Sequence, residues 1–307
     1  GTRYWFLSTG SAIAYTHIPA KGRQKPYPVI FLQGGPGGPV YNKNIALLAP
    51  LSNDGFDLYF YDQVGCGASE RLENIDEYSV ERHKNDLEDI VKTLGADKVI
   101  LIGQSWGAML ACAFIADNPH KVEKVIFTGP GPILPVNNLL EKVNPPDSLK
   151  LRSPQYTNRQ GKEKVYNIRA KFVEGMAKTF GLKLASNTEM DAFSTLLNFE
   201  MSKSTVCDSS ALASQMEAGS GYYSMIKTIQ SFKSVHNIRE KLKNCPIPAL
   251  VMRGQCDGIK WGYQNEYTNL FIRHTFKVIP DAGHSISREQ PAIYLDNIRE
   301  FLMSENE

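Results

Sequence analysis

The sequence predicts an α/β fold, a mostly parallel doubly wound sheet interrupted by one helical insertion. Three observations predict it. Short, wholly apolar runs such as Val29-Ile30-Phe31-Leu32 and Val99-Ile100-Leu101-Ile102 read as strands buried on both faces. Segments of helical period alternate with those runs, as in a parallel sheet covered by helices. The alternation stops at Gly129-Pro130-Gly131-Pro132, and from there to about residue 234 the pattern is polar and helical.

The elements follow in order. Residues 3–7 and 12–18 read as two strands around a Ser-Thr-Gly-Ser turn, with His17 in a structural role. The strand at 28–32 runs into Gln33-Gly34-Gly35-Pro36-Gly37-Gly38-Pro39, and a helix is expected near 44–51. A strand at 56–61 ends in the glycine-rich turn Asp62 to Ser69, which is given a shaping role only. At 79–95, Ser79 can cap a helix, Leu87, Ile90, Val91 and Leu94 recur at helical spacing, and Gly95 stops it. His83, His120, His236 and His274 are expected to be solvated. Strands at 99–102 and 122–128 flank a helix near 108–114. The insertion's expected helices are 162–178, 189–199 and 221–232. Strands at 248–254 and 275–279 and a helix at 290–303 close the chain. The division is then a core of 1–130 and 235–307 with a helical cap at 131–234.

Bulk properties narrow the function classes. A net charge of +2 over 307 residues gives no basic surface for nucleic acid. No run reaches transmembrane length, so neither a membrane nor a nucleic-acid partner is expected. Five cysteines, an odd number with no C-x-x-C pair, speak against a zinc site or a dense disulfide framework. A single disulfide stays open. Reduced, cytoplasmic surroundings are the simplest expectation, with an exported and trimmed form left open by the Gly1 start. The oligomeric state is not legible.

The chemistry starts from Gly103-Gln104-Ser105-Trp106-Gly107, placed between a strand and a helix. In that context G-x-S-x-G is a nucleophile elbow, a turn so tight that the residues two away must lack side chains. A serine hydroxyl is a weak nucleophile and needs a base, which in turn needs a carboxylate to orient it. Asp257 and His284 lie just past the last two strands, where a doubly wound sheet gathers its functional groups. Asp281 is a rival carboxylate, but it shares the loop of His284 and has no route to the far side of the ring. The oxyanion needs two N–H donors. The backbones of Trp106 and of Gly34 or Gly35 are placed to supply them. No thiol base is evident for Cys66 or Cys256.

Three motifs in order, Gly34-Gly35-Pro36-Gly37, Asp62 to Ser69 and Gly103 to Gly107, make the chain resemble the proline iminopeptidase family of α/β-hydrolases. The resemblance implies a Ser105/Asp257/His284 triad, oxyanion donors at Gly34 and Trp106, a helical cap and no metal or cofactor. It implies release of an N-terminal residue, often proline, from a short peptide or small-molecule amide. Phe199-Glu200 resembles the Trp-Glu pair with which that family's cap anchors the substrate amine, so Glu200 is the expected anchor and Glu217 a weaker one. Gln33 and Gly35 are expected at the substrate. Two departures stand out: Gln33 replaces the usual histidine, and Gly258 replaces an acidic residue after the triad aspartate. An esterase, lactonase or amidase on a non-peptide substrate is the alternative, and a binding protein on the same scaffold is a more distant one.

Overall fold

The computed structural model describes residues 2–208, 212 and 216–304. Residues 209–211 and 213–215 of the predicted insertion, and the chain start, lie outside them. The strands are β1 (Arg3–Phe6), β2 (Ala12–Ile18), β3 (Val29–Leu32), β4 (Leu58–Tyr61), β5 (Val99–Gln104), β6 (Val122–Thr128), β7 (Ala249–Gly254) and β8 (His274–Ile279). They form one sheet of order β1-β2-β4-β3-β5-β6-β7-β8. β2 runs antiparallel to β1 and β4, and every other neighbouring pair is parallel.

β3 and β5 lie side by side, Leu32 opposite Gly103, so the two glycine turns that follow them emerge together. β6, β7 and β8 continue outward and deliver their own loops to the same edge. This is why positions distant in sequence converge: parallel strands all point their carboxyl ends one way.

The core helices are α1 (Asn42–Leu48), α2 (Val80–Leu94) and α3 (Trp106–Asp117). Ser79 caps α2 through Arg82 N–H, and Gly95 ends it with φ 63°. Its Leu87, Ile90 and Val91 are buried, each contributing about 2 kcal/mol. α3 is apolar all round and buried over nearly its whole length, a helix wedged between sheet and neighbours. His83, expected to be solvated, is instead buried on α2, where its Nε2 lies 2.9 Å from Thr228 Oγ1. Desolvation pushes its pKa down to about 3, so it stays neutral.

Between β6 and β7 stand α4 (Asn158–Val165), α5 (Ile168–Phe180), α6 (Asn187–Ser202), α7 (Tyr222–Ser231) and the short α8 (Arg239–Leu242). The single helix expected at 162–178 is two. α4 ends at Val165, and Asn167 caps the start of α5 by accepting from Ala170 N–H at 2.9 Å. The physical reason is that side-chain cap, which satisfies a helix start where the period alone runs straight through. After β7 come α9 (Trp261–Leu270), β8, α10 (Ile286–Glu289) and α11 (Pro291–Met303).

A disulfide joins Cys207, in the segment after α6, to Cys256, in the loop after β7. This is the single disulfide that the cysteine count left open. Cys66, Cys112 and Cys245 are free and buried.

Candidate active site

Ser105 stands between β5 and α3 with φ 54° and ψ −113°, a left-handed conformation that projects its side chain off the strand tip. The two flanking glycines are needed for close packing. A Cβ on Gly107 would sit 2.0 Å from Leu32 carbonyl oxygen, and one on Gly103 2.6 Å from Gly107 oxygen. The sharp turn therefore exists because α3 presses directly on β3 and β5.

Ser105 Oγ lies 2.9 Å from His284 Nε2. On the other side of the ring, Nδ1 lies 3.0 and 3.1 Å from the two oxygens of Asp257. Asp257 is fully buried and accepts also from Ile259 N–H at 2.9 Å and Gln264 Nε2 at 2.9 Å. Burial alone would raise its pKa. The facing imidazole, the Arg253 guanidinium and the Ile259 N–H outweigh that, and the carboxyl stays below its usual range, ionised. Burial likewise works against charge on His284, but the Asp257 carboxylate prevails and its pKa is raised above 6.5. Asp281, the rival, is an exposed residue paired with Arg152 at 2.6 Å.

Arg253, Gln264 and Gln63 are the residues that sequence reasoning missed. Arg253 donates to the carbonyls of Asp257 and Ile259 at 2.8 Å each, and also contacts Gln264. It fixes the loop that carries Asp257. Gln63, in the turn given no chemistry, accepts from Trp106 Nε1 at 2.8 Å and donates to Gln33 carbonyl at 3.0 Å. One buried carboxamide thus ties the residue before Gly34 to the residue after Ser105. The available signal was its place at the end of the strand next to β3.

Gly34 packs tightly on the serine turn: a Cβ there would lie 3.2 Å from both Gln104 oxygen and Ser105 Cβ. Gly35 has φ 132°, and a Cβ would come within 2.7 Å of Gly38 nitrogen. Trp106 opens α3, where the backbone N–H has no partner within the helix. Its indole ring is buried and stacked on Phe232, with ring centroids 5.4 Å apart.

A cavity of about 680 Å³ opens beside Ser105 and His284, lined by the core and by α4 and α6 residues together. That volume suits a small molecule or short peptide. Gln33 and Gly35 line it, as expected. Glu200 does not, which corrects its assignment as the amine anchor. Phe199 and Ser202 face the cavity, and the helical step between them turns Glu200 aside. There it pairs with Lys203 at 2.6 Å and Lys164 at 3.7 Å, which hold its carboxyl below the usual range. Glu217 does line the cavity, but it is ion-paired with Lys43 and stands 3.7 Å from Arg288. Among the described residues no cluster of His, Cys, Asp or Glu is arranged to hold a metal ion.

A mostly parallel sheet that places a serine of positive φ beside a part-buried histidine paired with a buried aspartate defines the class of doubly wound α/β proteins with a nucleophile-type turn. The chain belongs to the α/β hydrolase fold family, whose match spans residues 27–291. It is 26% identical to a proline iminopeptidase of Heyndrickxia coagulans over 96% of each chain. A proline iminopeptidase of Saccharolobus solfataricus is 39% identical over 87 residues, 28% of this chain and 27% of that one. Among solved structures, a proline iminopeptidase of Mycobacterium smegmatis superposes with a TM-score of 0.63 at 18% identity, covering 98% and 97% of the two chains. An esterase of Exiguobacterium antarcticum superposes as well, with a TM-score of 0.65 at 16% identity over 99% and 100%. Those two superpositions speak for the fold alone.

Proposed function

We propose that the chain is a serine hydrolase working by acyl transfer. One observation carries the reading: the unbroken hydrogen-bonded line from Ser105 Oγ through His284 to Asp257. Ser105 attacks a substrate carbonyl while His284 Nε2 takes its proton. Asp257 holds the ring in the required tautomer and stabilises the imidazolium. The N–H groups of Gly34 and Trp106 stabilise the oxyanion. His284 then hands its proton to the leaving group, and water releases the acyl-enzyme by the same steps in reverse.

The leading substrate is a short peptide or amino-acid amide with a free N-terminus, from which the N-terminal residue is released. The similarity to proline iminopeptidases supports it. Residues 131–234 act in this reading as a cap that bounds the acyl pocket. A second reading, a non-peptide ester, lactone or amide, draws on the pairing of Glu200 and Glu217 with cations, which leaves no uncompensated carboxylate lining the cavity among the described residues. A panel of aminoacyl-naphthylamides set against simple naphthyl esters and lactones separates them. Turnover of prolyl or other aminoacyl amides with a burst of naphthylamine supports the first. Turnover confined to esters or lactones rejects it.

A further inference from the structure

We infer that Glu289 is a positioning residue for His284: its carboxylate ties the backbone just before the histidine to the segment 205–208 that follows α6. This rests on the serine-hydrolase reading above and adds to it a residue outside the cavity. Glu289 ends α10 and is not among the residues that line the cavity. Its Oε2 accepts from Gly283 N–H at 2.6 Å. Its Oε1 accepts from Cys207 N–H at 2.8 Å and from Asp208 N–H at 3.0 Å. One carboxylate thus gathers three backbone donors from two distant stretches of chain, with both oxygens used. Hydrogen bonds to a charged acceptor are about twice as strong as neutral ones.

Around His284 the contacts close on both sides. After the histidine, Ser285 donates its N–H to Thr205 carbonyl at 2.8 Å and its hydroxyl to Thr205 Oγ1 at 2.9 Å. Before it, Gly283 packs against the same segment: a Cβ there would lie 2.6 Å from Thr205 carbonyl oxygen and 2.8 Å from the Val206 backbone. The two neighbours of His284 are therefore anchored to 205–208, one directly and one through Glu289. Cys207 carries the anchor further, since it is bonded to Cys256, the residue before Asp257. The segment bears on the loops of both the base and its carboxylate partner, and Glu289 is the charged side chain that locks it to the first. Without that acceptor Gly283 N–H loses its partner, and a backbone with no side chain turns readily to find another. His284 Nε2 then shifts relative to Ser105 Oγ, and a misplacement of about 1 Å costs about 10²-fold in rate.

The test is fluorophosphonate labelling of the intact protein, Glu289→Ala and Glu289→Gln, following the fraction of protein labelled and the rate constant of the labelled fraction. The reaction needs His284 to activate Ser105, whatever the natural substrate. Glu289→Ala is expected to label to the same extent as the intact protein but about 10²-fold more slowly. Glu289→Gln keeps one acceptor oxygen and is expected to be only about tenfold slow; it decides the matter if the alanine variant does not fold. Rate constants equal to the intact protein's, or a loss confined to the labelled fraction, overturn the positioning role and leave the hydrolase reading standing. A glutamine variant no faster than a folded alanine variant overturns it too, because the role assigned is that of an acceptor. An intact protein that does not label overturns the hydrolase reading, and the positioning role with it.

Discussion

The cavity has two walls of different character. The core wall is built by strand ends and glycine turns: Gly34 packs closely on Ser105, and Asp257 and His284 are held by hydrogen bonds that run on to the serine. The opposite wall comes from α4 and α6, in a helical region that joins the core through buried Val173, Ala177, Met190 and Tyr222 and carries ion pairs such as Glu200 with Lys203. α5 there leaves Ile168 and Phe172 exposed at 88% and 60%. The walls meet where Thr205 carbonyl accepts from Ser285 N–H at 2.8 Å and where Cys207 is bonded to Cys256. Both seams adjoin the loops of His284 and Asp257. In the proposed reading, the difference assigns the chemistry to the wall of strand ends and the choice of substrate to the space between the two.

Ser105→Ala should break the core wall completely, lowering kcat by about 10⁶ with little change in substrate binding, as read by steady-state rates and inhibitor affinity. Retained turnover would move the chemistry elsewhere. The seam comes next. Cys207 and Cys256 are 49 residues apart, and opening their bond should lower unfolding free energy by about 4 kcal/mol on loop-closure grounds. Denaturant titration of Cys207→Ser checks this, and an unchanged midpoint would show that the seam is not braced there.

Gln63→Leu should lower kcat by about 10²-fold while leaving KM nearly unmoved, since Gln63 ties together the two segments proposed to donate to the oxyanion without lining the cavity. Active-site titration separates this from a loss of folded protein. A matching fall in titratable sites would reduce Gln63 to a folding residue.

The pH profile is a finer probe. His284 must be neutral to accept a proton, and its pKa is raised above 6.5 by Asp257 despite burial. Activity therefore falls as pH drops through a value above that of a free imidazole. Asp257→Asn should shift this acid limb downward along with a large loss of rate. An acid limb below the free-imidazole value in the intact protein would contradict the pairing. The smallest effect belongs to Glu200→Gln, less than about twofold and equal on amine and neutral substrates, because its carboxylate is spent on Lys203 and Lys164. A selective loss on amines would restore Glu200 as the anchor.

The same contrast explains what the sequence made legible. Apolar strands, glycine turns and capping residues are local signals, so the sheet order's constituents, Ser105, Asp257, His284 and the turn at Gly34 could all be read. What could not be read depends on contacts across long sequence distances. Gln63 looks like turn filler until it is seen between Trp106 and Gln33. His83 looks like a surface residue of an amphipathic helix until Thr228 arrives over it. Glu200 sits one residue from the cavity-lining Phe199, and a one-residue step on a helix is a turn of about 100° away. The Tyr166–Asn167 break is a local capping event that the periodicity masked.

The central claim is that Ser105 is the nucleophile, and covalent labelling tests it most directly. Incubation with a fluorophosphonate followed by peptide mass mapping should place a single adduct on Ser105, with none on Ser105→Ala and slowed labelling of His284→Ala. An unlabelled protein, or an adduct on any other residue that survives Ser105→Ala, would contradict the account.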